Sequence, residues 1–255
     1  MKLSNHLKKV VLLAVFTGVA VPAHGGSAGY LEYTATHNDN YILAHSSDDK
    51  LSETLQTLSV SLVHFRPYTE KTSLVTGGAL SYTQYARFED LSAAALFLSG
   101  GVHHRWSKRY SFTGMAGAYL LSRENEFQDQ DGYAIHLTFL QKITPTLWLK
   151  EQLFYEMGAA RNLSDDFKSY GVNTSLSRML RDQSVLAATF AVSKKIYHDP
   201  LNRDLTGIQL RLDWTYPFLK QYYCRVGIAK TAAGADNNYG HQSVMSQVAI
   251  GYKFK

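Results

Sequence analysis

The sequence lacks several features that stabilise small secreted domains and helical membrane proteins. Its 255 residues include a single cysteine, Cys224, and only five prolines. One cysteine cannot form an intramolecular disulfide, so a disulfide framework is excluded. After Gly25, no apolar run approaches the ~18 residues that indicate a membrane-spanning helix. Glycine, tyrosine and phenylalanine, at 18, 17 and 12 residues, are frequent instead, and this composition favours strands.

The first 25 residues differ from the rest of the chain. Lys2, Lys8 and Lys9 form a basic start, residues 10–21 are apolar, and residues 22–25 include small side chains. This order predicts a secretory signal peptide over residues 1–25. The alternative is an N-terminal anchor helix, for which the apolar run is short. Removing the three lysines from the 26 basic residues leaves 23 against 21 acidic residues, so we expect no nucleic-acid partner.

The remainder of the chain shows a two-residue period. In the clearest segment Ile208, Leu210 and Leu212 alternate with polar side chains, which places the two sets on opposite faces of a strand. Similar segments predict strands at 28–36, 54–66, 73–86, 94–106, 110–123, 133–143, 146–158, 169–180, 184–197, 205–217, 221–231 and 243–254. Many of them are as long as the ~9–11 residues that cross a bilayer as a tilted strand.

The connections between these segments alternate in length. Short connections at 67–72, 107–109, 144–146, 181–183 and 218–220 alternate with longer polar ones at 37–53, 87–92, 124–132, 161–168, 198–204 and 232–242. Short turns on one side and long loops on the other are typical of outer-membrane barrels. The pattern predicts an all-β fold, a closed antiparallel transmembrane β-barrel of about 12 strands over residues 26–255. Closure is required because an unpaired backbone group in hydrocarbon costs several kcal/mol.

The last predicted strand carries a recognisable pattern. Val244, Val248, Ile250, Tyr252 and Phe254 share one face of the segment QSVMSQVAIGYKFK. This resembles the C-terminal signature of Gram-negative outer-membrane barrels, although Lys255 follows the terminal aromatic. The resemblance implies that Val248, Ile250, Tyr252 and Phe254 are read by the barrel-insertion machinery. It also implies an outer-membrane location, with lipid and lipopolysaccharide as partners.

The start of the predicted barrel gives a second resemblance. The segment AGYLEYTATHNDNYIL, at residues 28–43, is similar to the first strand and loop of porin-like barrels of unassigned function. Together the two resemblances and the hairpin pattern cover nearly the whole chain, and they imply location and fold rather than activity.

Alignment of the apolar faces predicts which residues line the lumen. The set is Glu32, Arg105, His136, Lys142, Lys150, Glu156, Arg211, Asp213 and Arg225. Basic residues exceed acids, which favours small anions or acidic sugars as solutes, because rings of charge set ion preference in pores. The alternative is a plugged barrel whose opposite charges only pair with one another. Glu151 and Arg178 depart from the scheme, since both fall on the predicted lipid face.

Other patterns point less directly to a function. Aromatic residues near the strand ends, among them Trp106, Trp148, Trp214 and Tyr252, predict girdles at the membrane interfaces. The carboxylates of the long loops could bind calcium, but 129–132 matches only part of a calcium loop, so a solvated loop is the expectation.

The chain carries neither a G-x-S-x-G nor an H-E-x-x-H motif. We therefore expect no catalytic residues, no metal site and no cofactor. The leading hypothesis is a porin-like channel or structural barrel for small solutes. The alternatives are an outer-membrane enzyme that modifies lipid, with His64 or His104 as base on the lipid face, and an export or assembly barrel.

Overall fold

The protein forms one closed β-barrel. The computed structural model describes residues 26–39, 51–123, 129–160, 166–198, 204–235 and 239–254, so the predicted signal peptide and Lys255 lie outside the described residues. Twelve strands occupy this part of the chain: β1 (Gly26–Asn38), β2 (Glu53–Pro67), β3 (Thr72–Tyr85), β4 (Ala93–Arg105), β5 (Tyr110–Arg123), β6 (Gln130–Thr144), β7 (Leu147–Ala160), β8 (Phe167–Met179), β9 (Val185–Tyr197), β10 (Leu205–Pro217), β11 (Tyr222–Ala235) and β12 (Tyr239–Phe254). A short 3-10 turn, Glu89–Leu91, precedes β4.

Each strand pairs antiparallel with its neighbours in the chain, and β12 returns to pair with β1. The closing ladder runs from Gly29 opposite Phe254 to Asn38 opposite Met245. The sheet therefore has no unpaired edge, which confirms the predicted closed antiparallel barrel of twelve strands. No helix among the described residues is long and apolar enough to cross a membrane.

The strand positions match the predicted segments except at some ends. The β11–β12 ladder continues to Ala235 opposite Tyr239, so residues 236–238 join the two strands. The predicted long connection at 232–242 is therefore wrong. Ala232, Ala233 and Gly234 are too small to show an apolar alternation, but they still pair with β12 across the ladder.

The short connections lie at one end of the barrel, which we call the turn end, and the other end is the loop end. Side-chain oxygens close the short turns. Thr69 Oγ1 accepts the N–H of Thr72 at 3.0 Å, and Ser107 Oγ accepts the N–H of Arg109 at 3.1 Å. In the β8–β9 turn, hydrogen bonds from the hydroxyl and N–H of Ser184 lower the pKa of the Asp182 carboxyl. Such local bonds are the reason that these residues favour turns.

The two faces of the sheet differ in chemistry. Large apolar side chains on alternate positions are exposed on the outer face, including Leu31, Leu58, Leu98, Leu120, Leu153, Leu210 and Ile250. Aromatic rings meet on this face near the turn end, where Trp106 lies 5.9 Å from Phe139 and Tyr222 lies 4.9 Å from Tyr252. Glu151 is also on the outer face, between Phe139 of β6 and Thr174 of β8, so its predicted face is right.

Candidate functional site: the inner face of the barrel

The nine residues predicted to line the lumen all fall at strand positions that alternate with the apolar outer face. They occupy β1, β4, β6, β7, β10 and β11. Arg105 and Lys142 are exposed at the turn end, whereas Arg225 is buried. The contacts among the nine show which charges the barrel brings together and which it keeps apart.

Glu32 is the centre of a cluster that joins the first strand to the eleventh. Its Oε1 lies 2.7 Å from a guanidinium nitrogen of Arg225, and its Oε2 accepts the Tyr223 hydroxyl at 2.7 Å. Gly251 of β12 lies between Glu32 and Tyr223 in the register, and the Tyr223 ring occupies the space that a Cβ at Gly251 would take. The glycine therefore lets the phenol lie flat across β12 and reach the carboxylate.

A second pair lies beside the first on the same wall. Arg211 donates two hydrogen bonds to Asp213, at 2.6 and 2.7 Å, and a third to Gln247 Oε1 at 2.9 Å. The Asp213 carboxylate lies over Gly227, where a Cβ would collide with it. Bidentate geometry of this kind fixes both side chains. The charges of Arg211 and Arg225 are thus balanced by Asp213 and Glu32.

The wall formed by β6 to β9 carries a different arrangement. Lys195 places its ammonium 3.8 Å from the centroid of the Phe167 ring and 4.8 Å from that of Tyr197. A ring attracts a cation through its quadrupole but does not cancel its charge. Glu156 is the acid on the same face, opposite Ser169 of β8, which is itself opposite Lys195.

A second group of polar residues lies deeper in the barrel on the same wall. His136 Nδ1 lies 3.3 Å from Gln152 Nε2, and Lys150 faces the same side as Gln152.

The ladder between β1 and β12, which we call the closing seam, holds another inner cation. Lys253 places its ammonium 5.2 Å from the Tyr223 ring and 6.0 Å from the Tyr30 ring. Sequence reasoning passed over both Lys195 and Lys253. The signal for Lys253 was present, because a residue between the outward-facing Tyr252 and Phe254 must face inwards.

One part of the interior is apolar. Val63, Phe65, Val75 and Met115 form a buried cluster on the inner faces of β2, β3 and β5 near the turn end, with Ala28 packed against it. The rings of His103 and Phe65 form a T-shaped pair with their centroids 6.1 Å apart, and His103 Nδ1 lies 2.9 Å from Thr113 Oγ1. This cluster makes the inner face apolar near the turn end of β2, β3 and β5, whereas the ion pairs described above lie on β1, β10 and β11.

Carboxylates at the loop end have a structural role that the sequence reasoning missed. Glu53 is 2 % exposed, and its carboxylate accepts the backbone N–H groups of Thr54, Ala86, Arg87 and Phe88 at 2.6–3.2 Å. This fixes the segment that leaves β3. Glu53 falls at the end of the predicted polar connection 37–53, but it is the first residue of β2 and a buried anchor.

Aspartates repeat this role at three other loop-end hairpins. Asp129, Asp166 and Asp204 lie at or just before the start of a strand, and each accepts a backbone N–H from the end of the preceding strand, at 2.8, 2.7 and 3.2 Å. Asp129 therefore closes a hairpin rather than completing a calcium loop. Among the described residues no group of three or more ligating side chains is placed to hold a metal ion.

The closed sheet, the apolar outer face and the polar inner face together define the class of fold: an antiparallel barrel of the outer-membrane type. No family model and no curated protein matches the sequence. Solved structures do resemble it. An outer membrane channel from Pseudomonas putida F1 matches with a TM-score of 0.70 at 12% identity, over 94% of this chain and 100% of that chain.

Two further structures match with lower scores. The KdgM porin has a TM-score of 0.51 at 10% identity, over 89% of this chain and 99% of that chain. The β domain of the Bordetella autotransporter BrkA has a TM-score of 0.53 at 12% identity, over 89% of this chain and 99% of that chain. At these identities the likeness concerns the fold.

Proposed function

We propose that this chain is a porin-like channel of the Gram-negative outer membrane that passes small anionic or saccharide solutes. The observation that carries the proposal is the charge of the inner face. Arg211 and Arg225 are balanced by acids, whereas Lys195 and Lys253 meet aromatic rings. An excess of fixed positive charge in a confined aqueous path lowers the energy of a permeating anion.

The outer-membrane location follows from the same barrel. A closed sheet has no edge of unpaired backbone groups to expose to hydrocarbon, and its apolar outer face suits the lipid around it. We propose that residues 1–25 direct export and are removed, that Val248, Ile250, Tyr252 and Phe254 are recognised by the insertion machinery, and that lipid and lipopolysaccharide surround the mature barrel. A mature N-terminus between about residues 25 and 28 in outer-membrane fractions would support this processing.

Reversal potential in planar bilayers tests the channel directly. The purified barrel, placed between unequal concentrations of potassium chloride, should give a potential of the sign that marks chloride as the more permeant ion. The preference should fade as salt shortens the Debye length towards ~3 Å at 1 M. Zero conductance, or a preference for potassium, would refute the proposal.

One contact favours a second candidate function, hydrolysis of lipid. Ser27 Oγ lies 3.0 Å from His64 Nδ1 on adjacent strands at the exposed outer face. A hydroxyl within hydrogen-bond reach of an imidazole is the start of a nucleophile and base pair. Among the described residues, however, no carboxylate hydrogen-bonds His64, so the group that would orient the base is missing, and the channel remains the leading function.

Loss of acyl-chain release tests this candidate. On the hydrolase candidate, phospholipid vesicles containing the wild-type barrel release fatty acid, and vesicles containing Ser27→Ala do not. Thr72→Ala is the matched control. The Thr72 hydroxyl makes an equivalent 2.9 Å contact with His104, on the next pair of strands, β3 and β4. Equal release from the wild type and Ser27→Ala would exclude the dyad.

A further inference from the structure

The turn end of the barrel is strongly basic. Each of its five short connections carries an exposed lysine or arginine at or near the turn, and examples are Lys71, Lys108, Lys142, Arg181 and Lys220. In the segments 66–72, 105–110, 142–147, 178–184 and 217–222, lysines and arginines far outnumber the acids, which are Glu70 and Asp182. Within the part of the chain that the structure describes, none of the five cations forms an ion pair with an acid.

These cations belong to the aqueous mouth of the barrel rather than to its lipid face. Lys71, Lys108, Arg181 and Lys220 lie in the turns themselves, and Lys142 is on the inner face of β6. Successive turns are two strands apart, which is about 10 Å along the rim. A ring of like charges raises the potential across the opening that it surrounds. A ligand that carries several anionic groups along a chain can therefore contact several turns at once.

One inner cation at this end has aromatic neighbours. Lys253 lies directly opposite Tyr30 in the closing seam, with its ammonium 6.0 Å from the Tyr30 ring and 5.2 Å from the Tyr223 ring. Its backbone N–H donates to the carbonyl of Gln221 at 2.7 Å, which places it beside the turn that carries Lys220. Tyr223 is buried, whereas Tyr30 is half-buried and Lys253 is exposed. The mouth thus offers a cation and an accessible aromatic ring side by side.

We propose that the turn-end mouth binds an acidic oligosaccharide, with one sugar ring on Tyr30, its carboxylate at Lys253 and further carboxylates at the turn cations. A uronic acid carries a carboxylate and an apolar C–H face on the same ring, so it matches a cation beside an aromatic side chain. An acidic peptide has the carboxylates without that face. The inference rests on the proposed channel function, for which it names the solute, and it places the site at the periplasmic mouth, since short turns face the periplasm in such barrels.

Calorimetric titration of the detergent-solubilised barrel with a hexamer of mannuronic acid tests the site at low salt, where exposed charges are least screened. Lys71→Gln/Lys108→Gln/Lys220→Gln should bind the hexamer about tenfold more weakly, because three individually weak exposed ion pairs are lost together. Wild-type affinity in this triple variant would refute the site.

The matched control removes the same charge elsewhere. Arg87→Gln/Lys168→Gln/Lys230→Gln changes three exposed cations outside the turn end, and it should bind the hexamer like the wild type. An equal loss of affinity in the two triple variants would show that net charge alone drives binding, and it would overturn the assignment to the mouth.

Two further ligands separate an acidic saccharide from a neutral sugar and from an acidic peptide. Mannohexaose has the same backbone without carboxylates, and hexaglutamate has the carboxylates without sugar rings, so both should bind the wild type more weakly than the hexamer. Tyr30→Ala should weaken the hexamer several-fold and leave hexaglutamate unchanged, while Tyr30→Phe should bind both like the wild type. Equal affinity for the hexamer and either of the other ligands would refute recognition of an acidic saccharide.

This binding measurement does not depend on conduction. A barrel that conducts chloride but does not bind the hexamer would refute the mouth site and leave the channel standing. A barrel that binds the hexamer but does not conduct would refute the channel and leave the mouth site standing.

Discussion

Glu53 shows how one residue can organise a segment that has no regular structure. Its carboxylate meets four backbone N–H groups, three of them in the segment leaving β3, and it is almost fully buried. A buried carboxylate is tolerated where hydrogen bonds replace its hydration. The aspartates that close the other loop-end hairpins work in the same way with single bonds.

Replacement of Glu53 should therefore loosen the loop end. Glu53→Ala removes the carboxylate that accepts the Arg87 and Phe88 N–H groups, whereas the Ala86 N–H keeps its bond to Thr54 O, so we expect the free energy of unfolding to fall by about 1–3 kcal/mol. Amide hydrogen exchange at residues 86–88 should also become faster. Glu89→Ala, which changes an exposed acid in the same segment, should have neither effect. Unchanged exchange at 86–88 in Glu53→Ala would contradict the anchoring role.

Strand β10 shows how far an element could be predicted from its sequence. The two-residue period places Leu210 outwards and Arg211 inwards, and the structure has the same arrangement. The same period places all nine candidate lumen residues on one side of their strands. Faces were predictable because adjacent side chains on a strand must point to opposite sides.

The partners of those residues were not predictable in the same way. Glu32 and Arg225 are 193 positions apart, and their contact depends on the registers of two ladders that meet at β12. The loop-end carboxylates were missed for a related reason. A short polar segment has no period that would separate a solvated acid from one that accepts backbone N–H groups.

The stability cost of a charge on each face of β10 can be compared by introducing arginine at one outward-facing and one inward-facing position. Leu210→Arg places a charge on the lipid side, where it should cost ~2–4 kcal/mol of barrel stability near the midplane. Gln209→Arg places the same charge on the inner face and should cost much less, because water and Thr231 can solvate it. Urea titration of barrels refolded in lipid vesicles measures both. Equal losses would mean that the two faces have been exchanged.

The C-terminal strand offers a second test at the scale of an element. The ring of Phe254 occupies the space that a Cβ at Gly29 would take, and it lies 6.2 Å from the Tyr252 ring. Phe254→Ser should remove this packing at the closing seam, and we expect little of the variant to reach the outer membrane. Phe254→Tyr keeps the ring and should accumulate normally. Normal outer-membrane levels of Phe254→Ser would refute the role of the terminal aromatic.

For the whole molecule, the contrast between inner cations that are paired with acids and inner cations beside aromatic rings predicts which variants alter ion preference. Lys195→Gln/Lys253→Gln removes two cations that meet aromatic rings, so the reversal potential should move towards zero. Arg211→Gln/Asp213→Asn removes a pair whose net charge is nil and should change it little. Single-channel recordings at low salt compare the two variants. A larger shift from the second would mean that the pair, and not the lysines, sets the preference.

At the closing seam, the first and last strands of the barrel are neighbours in space although they are far apart in the chain. Every other ladder joins strands that follow one another along the chain, and only β1 and β12 bring distant segments together. Their ends are adjacent, since Gly29 lies opposite Phe254. A circular permutant that links these ends through a short turn and opens the chain at residues 107–109 would keep every ladder of the barrel. The former seam would become an ordinary hairpin, and β4 and β5 would become the last pair to meet. Because termini that lie close together tolerate such rearrangement, the permutant should refold in lipid to a barrel with the same conductance.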